Sequence, residues 1–153
     1  EKRIQGYLDA YNVCVLATSR DDLPRATPIE YYAKDLIVYI AASPQTKIHN
    51  LEGNPRCSVG IYNTPYTDWT NWDEVIGIQI TGRVDLIRNE EQPEAYAEAL
   101  EVYDWRLYRE AMGIEDAPHK TIFIKVIPEK IQLRDLGLLR EGYAPNQIWE
   151  PAA

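Results

Sequence analysis

The segment 76–86 constrains the fold most strongly, because apolar and polar side chains alternate along it. One face would carry Gln79, Thr81, Arg83 and Asp85. The other face is apolar on both sides of Gly82. This alternation is typical of a strand with one buried and one solvated face. The apolar set is Ile76, Ile78, Ile80, Val84 and Leu86.

Five further segments have the pattern of strands and are separated by turn residues: 13–18, 25–32, 36–41, 57–62 and 121–135. Helices are expected at 1–11, at 43–53 and from 89 or 93 to 113. Six strands joined mostly by tight turns favour antiparallel pairing. The predicted fold is therefore mainly β, a β-barrel with peripheral helices, formed by one domain over residues 1–153.

Two prolines refine this prediction. Pro28 lies inside a strand but has no N–H for the sheet ladder, so its strand should be at an edge, bulged, or facing a ligand. The apolar parity of the last strand changes at Pro128. A bulge of one residue at Pro128-Glu129 would return the later apolar side chains to the inner face, and we expect one there.

A short segment after the third strand combines helix signals with groups that bind anions. Ser43 suits an N-cap, Pro44 the first helical position and Gly53 a left-handed C′ position. The first turn of this helix would present free N–H groups beside the hydroxyls of Ser43 and Thr46 and the ammonium of Lys47. That combination suits a phosphate. An ordinary capped helix with a surface lysine explains the same residues equally well.

Charge limits the partners that such a chain can bind. Lysine and arginine number 16 against 24 acidic residues, which gives a formal charge of −8. Nucleic acids and anionic membranes select basic surfaces, so neither is expected as a partner. No apolar run approaches the about 18 residues of a membrane span, and no secretory leader is evident. A cytoplasmic protein that binds a small molecule is the expectation.

Few side chains suggest catalysis by the chain itself. Cys14 and Cys57 lie in apolar strand-like runs and are expected to be buried thiols rather than a disulfide. His49 and His119 lack the spacing of metal ligands, so no metal is expected. Dinucleotide-binding, Walker and nucleophile-elbow motifs are absent from the sequence.

Five segments occur in an order that resembles a known protein family. They are residues 13–18, 23–29, 36–55, 80–84 and 122–133. The most specific part of the resemblance is Thr46-Lys47 with Asn50-Leu51 and Asn54-Pro55. In these residues the chain resembles the pyridoxamine 5′-phosphate oxidase-like, FMN-binding split barrels, over about residues 8–135. The resemblance implies a six-stranded antiparallel split β-barrel that forms a homodimer, with two FMN sites at the subunit interface.

The resemblance also implies roles for individual residues. Lys47 would pair with the FMN phosphate, and Ser43, Thr46 and Thr27 would supply further donors. The isoalloxazine ring would lie along Pro28 and Ile29, with room left by Ala41 and Ala42. Asn50 would reach the ribityl chain or brace the loop. The implied cofactor-binding set is Thr27, Pro28, Ile29, Ala41, Ala42, Ser43, Thr46, Lys47 and Asn50.

Some residues depart from the oxidase that gives the family its name. Thr27 and Thr46 stand where that enzyme has arginines, and no arginine follows Trp149. These departures argue against oxidation of vitamin B6, and the resemblance then implies a flavin-dependent oxidoreductase that uses a nicotinamide donor or oxygen and acts on an unidentified small molecule. The alternatives are a non-catalytic flavin-binding or electron-carrying module, a relative that binds deazaflavin F420 or haem, and a cofactor-free interaction domain.

Aromatic residues outside the apolar runs have two interpretations. They would stack on a substrate, or they would pack in the core of a dimer interface, where tyrosine and tryptophan are enriched. The residues concerned are Tyr31, Tyr62, Trp69, Trp72 and Trp149.

Overall fold

The computed structural model of the chain describes residues 1–62, 68–113 and 120–152. Eight strands and four α-helices lie within these ranges. In chain order they are α1 (Lys2–Ala10), β1 (Val13–Arg20), β2 (Leu23–Glu30), β3 (Tyr32–Lys34), β4 (Ile37–Ala42), α2 (Thr46–Gly53), β5 (Arg56–Tyr62), β6 (Ile76–Ile87), α3 (Pro93–Val102), α4 (Trp105–Met112), β7 (Ile122–Asp135) and β8 (Asn146–Trp149). Two 3₁₀ helices, Trp69–Glu74 and Leu136–Glu141, precede β6 and follow β7.

All strand pairs are antiparallel and form one sheet in the order β2-β1-β5-β6-β7-β4-β3, with β8 added along β7. The sheet curls around a core that α1 and α2 help to close. This confirms the predicted mainly β split barrel with peripheral helices, although it has eight described strands rather than six. β2 lies at an end of the order, so Pro28 occupies an edge strand, which is one of the three possibilities predicted for it.

The predicted strand 25–32 is divided in the structure. The break is at Tyr31, which lies between β2 and β3 and has its side chain buried in the core. The Tyr31 hydroxyl donates to the carbonyl of Leu8 at 2.9 Å, and its N–H donates to the carbonyl of Asn12 at 3.0 Å. The hydroxyl bond gives the buried phenol its partner, and the N–H bond satisfies the main chain of Tyr31 between the two strands.

The sequence of residues 142–149 predicts a loop with a terminal aromatic anchor, and the loop part of that prediction is wrong. Residues 146–149 form β8 and pair with β7, with Trp149 opposite Ile131. The anchor is present, because Trp149 packs against the main core and its indole N–H donates to Glu1 Oε1 at 2.9 Å. A sheet edge left open along β7 explains the pairing.

The bulge predicted at Pro128-Glu129 is confirmed. Thr81 pairs with Lys130 and Gly82 pairs with Pro128, so Glu129 is the extra residue on β7. Apolar side chains before and after the bulge are buried together. They are Ile122, Ile124, Val126, Ile131 and Leu133.

Two helices occupy the region where one was predicted. Asp104 adopts a left-handed conformation, with φ of 46°, and separates α3 from α4. Apolar spacing in the sequence predicts one buried stripe, formed by Tyr96, Ala99 or Leu100, Tyr103, Leu107 and Ala111. Tyr96 and Ala99 on α3 are buried, but Leu107 on α4 is 63 % exposed. The predicted buried stripe therefore ends before α4. Within the described ranges, no helix combines the length and the hydropathy needed to cross a bilayer.

Because of a contact between α1 and the end of β7, the free energy of unfolding should decrease at alkaline pH. Burial, then the hydrogen bond from the Tyr7 hydroxyl to Asp135 Oδ2 at 2.7 Å, raises the pKa of Tyr7 to about 12. The unfolded chain ionises its tyrosines near pH 10. We therefore expect the free energy of unfolding to fall as pH rises from about 10 to 12, by at most about 1.4 kcal/mol per pH unit for each such tyrosine.

Urea unfolding midpoints at intervals from pH 8 to pH 12 measure this effect. Tyr7→Phe, which has no proton to lose, should flatten the decline above pH 10. A decline of equal steepness in both proteins would contradict the role given to Tyr7.

Candidate functional site

Strand register and one hydrogen bond place β2 against α2. In the β1–β2 ladder, Thr27 is opposite Leu16 and Arg25 is opposite Thr18. Leu16 and Thr18 are buried, and opposite residues of a ladder share a face. The Asn50 side chain of α2 donates to Thr18 Oγ1 at 3.2 Å. Arg25 and Thr27 therefore lie on the face of the sheet that α2 covers.

Lys47 is a buried cation on that helix, with 6 % of its surface exposed. Its ammonium donates to Gln45 Oε1 at 3.1 Å, and none of the described residues pairs it with a carboxylate. Burial lowers the pKa of Lys47, and the positive charge of nearby Arg25 lowers it further. Two neighbouring cations without an acidic partner attract an anion.

The Thr27 hydroxyl is a second polar group without a partner at this place. Its oxygen is inaccessible to solvent, and it makes no hydrogen bond within the described part of the chain. Buried hydroxyls in folded proteins are nearly always hydrogen-bonded, since leaving one unpaired costs about 1–3 kcal/mol. An acceptor atom of a ligand would satisfy it.

The start of α2 differs from the prediction. The N-cap is Gln45 rather than Ser43, and Pro44 lies before the helix rather than in its first turn. The reason is that the Gln45 carbonyl accepts the first helical bonds, from the N–H groups of Ile48 at 2.9 Å and His49 at 3.2 Å. No side chain caps this end. The N–H groups of Thr46 and Lys47 precede those bonds and suit an anion.

The end of α2 also differs. Gly53 is the last helical residue, and the C-cap is Asn54 in an extended conformation, so the predicted left-handed glycine is wrong. A Cβ on Gly53 would approach the Arg20 side chain at 2.8 Å. Arg20 in turn donates to the His49 carbonyl at 2.9 Å, with the same Nη1 3.3 Å from His49 Nδ1. The glycine makes room for this contact.

The remaining predicted residues fall into two groups. Ile29 shares the face of Thr27 and packs against the main core, whereas Pro28 is exposed on the opposite face. Ala41, Ala42 and Ser43 line a cleft of about 450 Å³ at the end of β4, and Ser43 is exposed there. Thr46 is also exposed. Three residues between β4 and α2 connect this cleft with the cation pair, which is Lys47 and Arg25.

Arg25 is the residue of this site that the sequence analysis missed. Its position two residues before Thr27 places both side chains on one face of an extended strand. That spacing could have identified it once Thr27 was chosen.

The five aromatic residues singled out in the sequence occupy different environments. Tyr31 lies in the core and Trp149 packs against it, while Tyr62 and Trp69 are 62 % and 79 % exposed. The ring of Trp72 lies 6.0 Å from the Arg140 guanidinium carbon. None of these residues lines the cleft at the end of β4.

Conventional nucleophiles and metal ligands do not gather near the site. Cys14 and Cys57 are free, buried thiols, and burial raises the pKa of each to about 12, so neither is a reactive thiolate. The described residues hold no group of three or more potential metal ligands. His119 lies outside the described residues.

Residues 1–135 fit the sequence model of the family described as pyridoxamine 5′-phosphate oxidase. No curated protein sequence matches the chain.

Solved structures share the fold at low sequence identity. An FAD-binding protein from Mesorhizobium loti is 19 % identical with a TM-score of 0.68, over 86 % of this chain and 91 % of that one. A heme-binding protein from Mycobacterium smegmatis is 17 % identical with a TM-score of 0.63, over 95 % and 56 %. The heme storage protein HutZ from Vibrio cholerae is 14 % identical with a TM-score of 0.65, over 84 % and 89 %.

Proposed function

Because the chain belongs to the pyridoxamine 5′-phosphate oxidase family, we propose that it binds FMN and acts as a flavin-dependent oxidoreductase on a small molecule. The observation that carries this proposal is the buried ammonium of Lys47 beside the exposed guanidinium of Arg25, a pair that none of the described carboxylates neutralises. The FMN phosphate is a dianion of suitable size and charge for such a pair.

The residues present fit this cofactor. Lys47 and Arg25 would hold the phosphate, the unpartnered Thr27 hydroxyl would donate to one of its oxygens, and the uncapped start of α2 would add backbone N–H donors. Asn50 braces α2 against β1 through Thr18 and so fixes the position of Lys47. When bound, FMN supplies the electron or hydride transfer, and the protein binds and orients it.

We also propose that a second copy of the chain completes the cofactor site. Support comes from the location of Arg25 and Thr27 on β2, an edge strand whose outer side is free of other described strands. The proposed function requires a small-molecule substrate or a nicotinamide donor, and cytoplasmic location stays a prediction. Light scattering with and without FMN should give the mass of two chains; a monomer under both conditions would contradict the homodimer.

Haem is a second candidate, supported by the two structural relatives named as heme proteins. The histidine that the structure describes, His49, is exposed and contacts Arg20 through its Nδ1. The protein ligand of the haem iron would have to be the other ring nitrogen of His49 or another residue. The anionic propionates of haem would also suit the cation pair, so the two cofactors have to be distinguished by experiment.

Titration of the cofactor-free protein with FMN, deazaflavin F420 and haemin makes that distinction. We expect saturable binding of FMN, with a perturbed flavin spectrum, and weaker binding of the other two. Preferred binding of haemin or F420 would overturn the choice of cofactor. Steady-state oxidation of NADH or NADPH by the FMN complex then tests catalysis, and no turnover with either donor or with oxygen as acceptor would favour an electron-carrying module.

Thr27→Val gives a prediction for the unpartnered hydroxyl. The valine keeps the shape but cannot donate, so we expect FMN affinity to fall about two- to tenfold, the usual value of one hydrogen bond. The stability of the cofactor-free protein should not fall, because no bond within the described chain is lost. Thr81→Val on β6 is the control and should leave FMN affinity unchanged; equal affinities for all three proteins would remove Thr27 from the site.

A further inference from the structure

The cleft at the end of β4 is walled by four aromatic rings that the proposed function does not use. Tyr32 lies on β3, Tyr103 follows α3, and Trp105 and Tyr108 are on α4. The ring centroids of Tyr32 and Tyr103 are 4.7 Å apart, and those of Trp105 and Tyr108 are 4.9 Å apart. The left-handed Asp104 produces this wall, because it ends α3 and redirects the chain into α4.

Glu30, at the end of β2, is the one charged residue among the described residues that line the cleft. No hydrogen bond or ion pair occupies its carboxylate within the described residues. Burial, and then the negative charge of Glu30, raises the pKa of Tyr103 to about 12, which agrees with their proximity. None of the lysines and arginines that the structure describes lines the cleft, in contrast to Lys47 and Arg25 beside Thr27. The cleft thus disfavours anions and favours a positive charge.

Aromatic faces add to this preference. The negative faces of tryptophan and tyrosine rings attract cations, and an enclosure of several rings with a carboxylate is a known arrangement for methylated ammonium groups. Trp105 also contributes a donor. Its indole N–H is buried and has no hydrogen-bond partner in the described part of the chain, so it is available to an acceptor atom of a ligand.

We propose that this cleft binds an organic cation, a substituted ammonium compound that also carries a hydrogen-bond acceptor, and that it is the substrate side of the flavin site. The substrate assignment rests on the proposed function; the cation site does not. A volume of about 450 Å³ lies within the range of small-molecule sites. The cleft adjoins the start of α2 through Ser43, so the cationic substrate and the anionic phosphate would occupy neighbouring sites of opposite charge.

Choline and its uncharged carbon isostere, 3,3-dimethylbutan-1-ol, are suitable probes, because they share shape and hydroxyl group and differ in charge. Calorimetric titration of the protein should show choline binding about tenfold or more tightly than the isostere, the effect of a cation among aromatic rings. Equal affinity, or no binding of choline, would overturn the proposal.

Three variants separate a specific site from a general effect of negative charge. Glu30→Gln should weaken choline binding about fivefold or more without changing affinity for the isostere. Trp105→Phe keeps a ring but removes the N–H, and should weaken both probes. The control Glu110→Gln removes an exposed carboxylate of α4 outside the cleft lining and should change neither. A loss of choline affinity in the control equal to that in Glu30→Gln would contradict the assignment.

Titration in the presence of FMN distinguishes this proposal from the proposed function. Choline binding that is retained in the FMN complex supports a substrate site beside the cofactor. Displacement of choline by FMN would assign the cleft to the flavin ring and overturn the substrate role. If the protein binds choline selectively but no flavin, the proposed function fails while the cation site stands.

Discussion

Replacing Lys47 with methionine is expected to weaken FMN binding about tenfold to a hundredfold. A hydrogen bond to a charged group contributes about 1.5–3 kcal/mol, and the ammonium of Lys47 is the buried partner available for the phosphate. The methionine side chain has a similar length and is tolerated in cores, so the change removes charge with little change in packing. Fluorescence titration of FMN, whose emission changes on binding, measures the affinity.

The same substitution should stabilise the protein without cofactor. Lys47 and Arg25 are neighbouring cations, and burial disfavours the charged lysine, so the methionine removes an unfavourable interaction. We expect the melting temperature to rise by about 2–4 °C for each kcal/mol gained. Lys34→Met, at an exposed position on β3, is the control and should change neither quantity much. Loss of stability together with unchanged FMN affinity would show that Lys47 is a structural residue.

Gly82→Ala is expected to cause the largest loss of stability. A Cβ at this position would collide with the carbonyl oxygen of Ile127 on the neighbouring strand, and the backbone of Pro128 is also within 3.2 Å. Backbone atoms at a bulge cannot move aside as a side chain would. Overpacking of this kind typically costs about 1–3 kcal/mol, and a collision with backbone should reach the upper part of that range.

Gly60→Ala is the matched control for Gly82→Ala. Gly60 lies on the adjacent strand β5, and a Cβ there would meet no atom within 4 Å. Alanine in a strand also loses less backbone entropy on folding than glycine, so this variant should be neutral or slightly more stable. Urea unfolding of both variants measures the difference. Equal midpoints would show that the close contact between β6 and β7 does not fix their register.

Most of the sheet was predictable because its side chains follow a period of two. The strand at β6, the edge position of Pro28 and the bulge at Glu129 all follow from apolar parity and from the missing N–H of proline. The pairing of β8 was not predictable in this way. Residues 146–149 carry no clear alternation, and their pairing depends on the free edge of β7, which is a tertiary feature.

The region from 93 to 113 shows the limit of helical periodicity. Its apolar spacing continues through Leu107, yet Asp104 in a left-handed conformation changes the direction of the chain. Leu107 is consequently exposed, and Trp105 and Tyr108 turn towards the cleft. The surrounding packing holds this single non-glycine residue at positive φ. The neighbouring sequence does not predict such a conformation.

The candidate site was predictable in part. Lys47, Asn50 and Thr27 came from the family resemblance, and the structure places them on one face with Arg25. The predicted start of α2 at Ser43 and Pro44 was wrong. Serine is a common N-cap residue, but the first helical hydrogen bonds are accepted by the carbonyl of Gln45, which is therefore the N-cap. The cleft combines residues from β2, β3, β4 and α4, and such distant combinations leave no pattern in sequence.

The central claim is that Lys47, Arg25 and Thr27 form a phosphate site for a flavin. Calorimetric titration of the cofactor-free protein with FMN and with riboflavin, which lacks only the phosphate, tests it most directly. Several charge-assisted contacts to one phosphate predict that FMN binds at least about a hundredfold more tightly than riboflavin, and that Lys47→Met reduces this ratio. Equal affinities for FMN and riboflavin, or no binding of either, would contradict the claim.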